Sequence, residues 1–111
     1  MEITEETVND VSVVMLKQRI DSATAKVFEE RLQEILEKTQ GRLIIDFAQL
    51  NYISSAGLRV LLMAAKTMNA KKLTLLLCGM KPEIYEVFEV SGFTKILTIV
   101  EDRDAALALA A

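Results

Sequence analysis

The chain has 111 residues, 51% hydrophobic and 26% charged, with a formal net charge of −3, which is enough for one globular domain over residues 1–111 with a single core. Histidine is absent and Cys78 is the only cysteine, so a histidine-based triad, a Cys/His zinc site and an intramolecular disulfide are excluded. The 13 basic residues are scattered, unlike the basic stripe of a nucleic-acid-binding protein.

Ile3 to Val8 alternates loosely and is expected as a first strand. Asn9-Asp10 is a turn signal, and Val11 to Leu16 is a second, more apolar strand, so the two form an antiparallel hairpin at a sheet edge. Asp21 or Ser22 caps a first helix that opens at Ile20-Asp21-Ser22 and runs to Lys38. Its apolar positions, Ala25, Phe28, Leu32, Ile35 and Leu36, recur at helical spacing, and Gly41 ends the run. Leu43 to Phe47 is nearly continuous apolar β pattern, as in a strand covered on both faces.

A short polar loop then leads to Ser54-Ser55 and a helix running to about Asn69. Either serine is placed to cap that helix, because its hydroxyl can accept a first-turn N–H that otherwise lacks a partner. The same position, at the positive end of the helix dipole, also suits a phosphate. The core stripe is expected at Leu58, Leu61, Leu62, Ala65 and Met68, with Ser55, Arg59 and Lys66 on a polar line. Ala56, Val60, Met63 and Thr67 lie on a shoulder between them, either as extra core or as an exposed partner surface.

Leu73 to Cys78 is a further buried strand, in which Cys78 reads as a small buried hydrophobe. Pro82 suits the first turn of a short helix with Ile84, Val87 and Phe88 as its stripe, closed by Ser91-Gly92. Phe93 and Ile96 to Val100 lead into a last strand, and Asp102 caps a final helix with Ala105, Leu107 and Leu109. The order β-β-α-β-α-β-α-β-α implies an α/β fold: a mixed, mostly parallel sheet of about five strands with four helices and right-handed crossovers. The acidic start Met1-Glu2-Ile3-Thr4-Glu5-Glu6 is unlike a secretory signal, and no apolar run approaches the roughly 18 residues of a membrane span. A cytoplasmic location is expected, with no membrane or nucleic-acid partner.

Asn51-Tyr52-Ile53-Ser54-Ser55-Ala56-Gly57-Leu58 resembles the signature of the anti-sigma factor antagonists of the STAS domain family, an Asp-Ser-Ser/Thr-Gly-Leu run behind a strand ending in Asp-Leu or Asp-Phe. Ser54 stands at the Asp position, Ser55 at the phosphorylated serine, Ala56 at the second Ser/Thr, and Gly57 and Leu58 match. Lys17-Gln18-Arg19-Ile20-Asp21 is similar to a second landmark, Gly-x-Leu-Asp, with Gln18 in place of the glycine. Pro82 through Ser91-Gly92-Phe93 is similar to a third, a Pro-led helix ending in Ser-Gly-Phe/Leu.

The resemblance implies the STAS fold and a regulatory role. The unphosphorylated protein would bind an anti-sigma factor that is also a serine kinase, and so free the sigma factor. Phosphorylation of Ser55, with Ser54 the alternative, would part the complex, and a metal-dependent serine phosphatase would reset it. Asp21, Ser54, Ala56, Gly57, Arg59, Val60 and Met63 would form the partner surface, and Arg59, one turn on, could reach back toward the phosphate. Monomer or weak dimer is expected. Two further roles share the fold: scaffold of a stress-signalling complex, and accessory subunit of a transporter. No catalytic residue, cofactor or metal is expected, since no base of the histidine kind exists and Ser54-Ser55-Ala56-Gly57 lacks the glycines and lysine of a P-loop.

Overall fold

The computed structural model describes residues 2–110. Its elements are β1 (Glu2–Val8), β2 (Val11–Ile20), α1 (Ala25–Lys38), β3 (Leu43–Ile53), α2 (Ser55–Ala70), β4 (Leu75–Cys78), α3 (Pro82–Val90), a 3-10 turn (Phe93–Lys95), β5 (Ile99–Val100) and α4 (Arg103–Ala110). The strands lie side by side in chain order, β1-β2-β3-β4-β5. β1 pairs antiparallel with β2, and the pairs β2–β3, β3–β4 and β4–β5 are parallel. The expected mixed sheet, with its edge hairpin and alternating helices, is the one observed. Asn9 and Asp10 make the hairpin turn with φ of 50° and 65°, as a two-residue turn matched to the twist of its strands requires.

Two strands run further than their apolar pattern. From sequence, β2 stops at Leu16 and β3 at Phe47; in the fold they continue to Ile20 and Ile53 because they pair with each other. Lys17 lies beside Gln49, Arg19 beside Tyr52 and Ile20 beside Ile53, with register shifts between Met15 and Lys17 and between Gln18 and Arg19. Each shift breaks the alternation that marks a strand, so this stretch of β3 reads as a polar loop. Gln18, at the second shift, has φ of 71°. That is the left-handed region glycine occupies freely and other residues occupy under strain.

Three elements are shorter than expected. Ser22-Ala23-Thr24 form a turn, so α1 begins at Ala25. β4 begins at Leu75 rather than Leu73, and β5 is confined to Ile99–Val100 because Phe93–Lys95 turn back first.

Alternation along the strands sends side chains to two cores. Val14, Leu16, Leu43, Ile45, Phe47 and Leu77 pack with α1, α2 and α3 on one face. Val11, Val13, Ile44, Leu76 and Cys78 pack with Ala106 of α4 on the other. α1 buries the five residues its spacing predicts. α2 is rotated from expectation: Val60 and Ala64 are buried with Gly57, Leu58, Leu61 and Met68, while Leu62 and Ala65 are half-buried. α3 buries Ile84 and Phe88 but leaves Val87 exposed. Phe88 meets Phe47 edge-to-face, with ring centroids 5.8 Å apart, a geometry that adds about 1 kcal/mol to the burial itself. Among the described side chains of α4, Ala106 is buried and Leu109 is exposed. Lys71, just after α2, donates to Leu36 O at 2.6 Å and Thr39 O at 3.0 Å. It thereby adds a charged donor to carbonyls at the end of α1, where intrahelical partners run out.

Candidate functional site

The parallel strands β2, β3 and β4 all end on one side of the sheet, where an open α/β sheet usually carries its site. The connection from β3 into α2 is tied there to its neighbour: Ser54 donates its backbone N–H to Ile20 O at 2.8 Å. The Ser54 side chain then accepts the Gly57 N–H at 3.2 Å, with φ −89° and ψ 170°. These are the backbone and bond of an N-cap. Of the two serines that could have capped α2, Ser54 does so. Ser55 is the first residue of the helix and is exposed.

Gly57 explains how the helix end comes so close to the sheet. A Cβ at this position would stand 2.8 Å from Ile53 Cγ1 and 2.9 Å from Ile20 Cγ2. Both isoleucines are buried strand ends, so a side chain at position 57 would push α2 off the sheet.

Asp21 closes the turn before α1. Its Oδ1 accepts the N–H groups of Ala23 and Thr24, each at 3.0 Å, and the Thr24 hydroxyl at 3.1 Å. Bonds from Thr24, then Ala23, with the nearby charge of Arg19, lower the Asp21 pKa despite partial burial. Asp21 thus caps as expected, but caps this turn rather than α1. Arg19, whose Nε is 3.6 Å from Asp21 Oδ2, also lies over the Tyr52 ring at 4.7 Å. Lys81, just before α3, donates to Asn51.

Two grooves flank the first turns of α2. The α1/α2 groove, about 680 Å³, is lined by Ala25, Lys26, Ala56, Arg59, Val60 and Met63 among others. The α2/α3 groove, about 530 Å³, is lined by Ser55 and Leu58 with Glu83, Glu86, Val87 and Val90. The candidate residues therefore divide. Ala56, Arg59, Val60 and Met63 line the first groove, Val60 being largely buried there, whereas Ser55 lines the second. Asp21, Ser54 and Gly57 hold the strand ends and the helix start between them.

Arg19, Tyr52 and the α3 residues did not stand out in sequence. Their signal was faint: Val90 lies off the Ile84–Phe88 stripe, and Tyr52 sits inside a strand that the register shifts disguise. Among the described residues, no three His, Cys, Asp or Glu side chains are grouped to hold a metal ion, and no helix is long and apolar enough to cross a membrane.

This βα arrangement, with a serine-capped helix pressed by a glycine onto two strand ends, is a STAS domain. The STAS family matches residues 2–106, and the chain belongs to that family. It is 38% identical over 108 residues, 97% of this chain and 93% of the other, to BtrV of Bordetella bronchiseptica, whose name assigns it as an anti-sigma factor antagonist. The fold superposes with a TM-score of 0.89 on a Thermotoga maritima protein described as an anti-sigma factor antagonist, at 17% identity and covering 97% and 93% of the two chains. It superposes at 0.76 on the Bacillus cell-fate determinant SpoIIAA in its phosphorylated form, at 17% identity and covering 99% and 100%.

Proposed function

We propose that this protein is an anti-sigma factor antagonist controlled by phosphorylation of Ser55. Unphosphorylated, it binds an anti-sigma factor serine kinase and frees the sigma factor. The kinase then phosphorylates Ser55, the complex parts, and a serine phosphatase restores the binding form. The observation that carries this reading is the division of labour between the two serines. The Ser54 hydroxyl is engaged with Gly57 N–H, whereas Ser55 is exposed on the first turn of α2, beside a groove. The names of the relatives, BtrV above all, support the antagonist role.

A phosphate on Ser55 carries a charge of about −1.5 to −2, which the free N–H groups and dipole of the helix start tolerate. The modification therefore leaves the fold intact and acts on binding. A dianion pressed into an interface without a countercharge costs several kcal/mol, and about 4 kcal/mol is a thousandfold in affinity.

The test is incubation with each anti-sigma-type kinase of the same genome, ATP and magnesium, followed by peptide mapping by mass spectrometry. One phosphate on Ser55 with loss of the kinase complex is the expected result, and Ser55→Asp should abolish binding with the fold unchanged. A phosphate on Ser54 would move the switch by one residue. Absence of phosphate with every kinase would end the proposal.

A further inference from the structure

The two grooves that flank the first turns of α2 differ in charge, and the difference describes the partner. The α1/α2 groove carries Lys26, Arg59 and Lys66 against Glu29. The α2/α3 groove carries Glu83 and Glu86 and is lined by no cation. α3 itself, from Pro82 to Val90, contains no Lys or Arg. Ser55 borders this acidic groove, and Arg59 borders the basic one.

The acidic groove also carries apolar surface. Leu58 lies within it, with Val87 and Val90 along its α3 side. Val90 is 81% exposed, and Val87 is exposed beside it. Single apolar residues at a surface are ordinary, but these two share a concave surface with Leu58. α3 is fixed from beneath by the buried Ile84 and Phe88, so the groove is a formed feature of the fold.

Resting on the assignment of Ser55 as the switch, we infer that the α2/α3 groove receives an apolar side chain flanked by Lys or Arg on the anti-sigma factor kinase. The apolar side chain takes Val87 and Val90 out of water. The flanking cations meet Glu83 and Glu86, whereas an acidic segment would face like charges. A phosphate on Ser55 then acts at this groove: the dianion keeps its water and bars the apolar side chain, on a surface that is lined by Glu83 and Glu86 and by no cation.

The experiment measures affinity for the kinase that phosphorylates the wild-type chain, using Glu86→Lys, Val90→Asp and, in the other groove, Lys66→Glu. Residues 66, 86 and 90 are exposed, and circular dichroism checks each fold. Glu86→Lys and Val90→Asp should each weaken binding about tenfold or more, and Glu86→Lys should flatten the loss of affinity with rising salt. Lys66→Glu should bind as wild type. Wild-type affinity in both α3 variants, with Ser55 still phosphorylated, would overturn the inference and leave the switch standing. Failure of every kinase to act on the wild-type chain would instead remove the switch, and the inference with it.

Discussion

The Ser54 hydroxyl and the Gly57 amide meet at 3.2 Å at the head of α2. The bond spends the Ser54 side chain on the fold and leaves Ser55 outside it. Ser54→Ala should therefore lower stability by about 1 kcal/mol, and Ser54→Asp should retain most of it. Ser55→Ala, at an exposed position, should stay within about 0.5 kcal/mol of wild type. Urea unfolding followed by circular dichroism measures all three. A larger loss at Ser55 than at Ser54 would place the cap one residue later.

Gly57→Ala tests the close approach of α2 to the sheet. The new methyl would stand under 3 Å from both Ile53 and Ile20, and each of these is fixed in the core. Overpacking of this kind costs about 1–3 kcal/mol, more than the alanine gains in helix propensity. The urea midpoint should fall, and the amide resonances of residues 54–58 should move most. An unchanged midpoint would show that the helix start shifts without cost.

Where burial followed a simple period, the fold was legible in the sequence. α1 buries the residues its spacing names, and Leu43 to Ile45 read as a two-faced strand because they are one. The legible part of the site was a serine cap at Ser54 or Ser55, since capping is a local demand, whereas the close approach of Gly57 to Ile20 depends on a distant strand. What stayed hidden depends on pairing between distant segments. The ends of β2 and β3 are strands through each other, across register shifts that scramble the alternation. The rotation of α2 arises from packing against α1 and the sheet, so Val60 is buried in place of Leu62. The α2/α3 groove needs Leu58 and Val90 side by side, and no local pattern states that.

Gln18 offers a prediction from the same irregular region. At φ 71° a non-glycine residue carries about 1–2 kcal/mol of strain. Glycine would remove it but adds about 0.5–1 kcal/mol of entropy to the unfolded chain. Gln18→Gly should therefore stabilise modestly, by up to about 1 kcal/mol, whereas Gln18→Val should destabilise, because a β-branched side chain fits that backbone worst. Thermal unfolding of the two variants decides it, and a stabilised valine variant would contradict the strain.

Asp21 gives the site a pH dependence. Its pKa is lowered from 3.8, chiefly by the Thr24 N–H and hydroxyl. A depressed carboxyl pKa means that the folded state binds the proton less readily than the unfolded state. Its contribution is thus complete above about pH 4 and is lost as pH falls through the folded value. Asp21→Asn should show a shallower fall in stability below pH 4 than wild type. The same slope in both proteins would mean that other carboxylates set the acid limb.

On the far face of the sheet, Arg103 of α4 reaches Asp46 of β3, with Nη2 3.2 Å from Oδ2, and also bonds Glu6 of β1. Among the described residues of α4, Ala106 is fully buried against that face and Leu107 is partly buried beside it, and this ion cluster adds to what holds the helix down. Beneath it lies Cys78, fully buried, its pKa pushed up from 9.0 to about 12 by burial and then by the charge of Asp46. Between those two values the folded state keeps a proton that the unfolded state releases, so raising the pH favours unfolding. It also keeps the thiol protonated and unreactive while folded. Iodoacetamide should therefore label Cys78 slowly in the native protein and quickly in urea. Arg103→Ala removes a charge-assisted contact that is partly open to solvent, worth about 1–2 kcal/mol. If α4 lifts as a unit, native-state labelling should quicken by about tenfold, with a smaller relative change in the global unfolding midpoint. Labelling that tracks only the global midpoint in both proteins would show that α4 and the sheet open together.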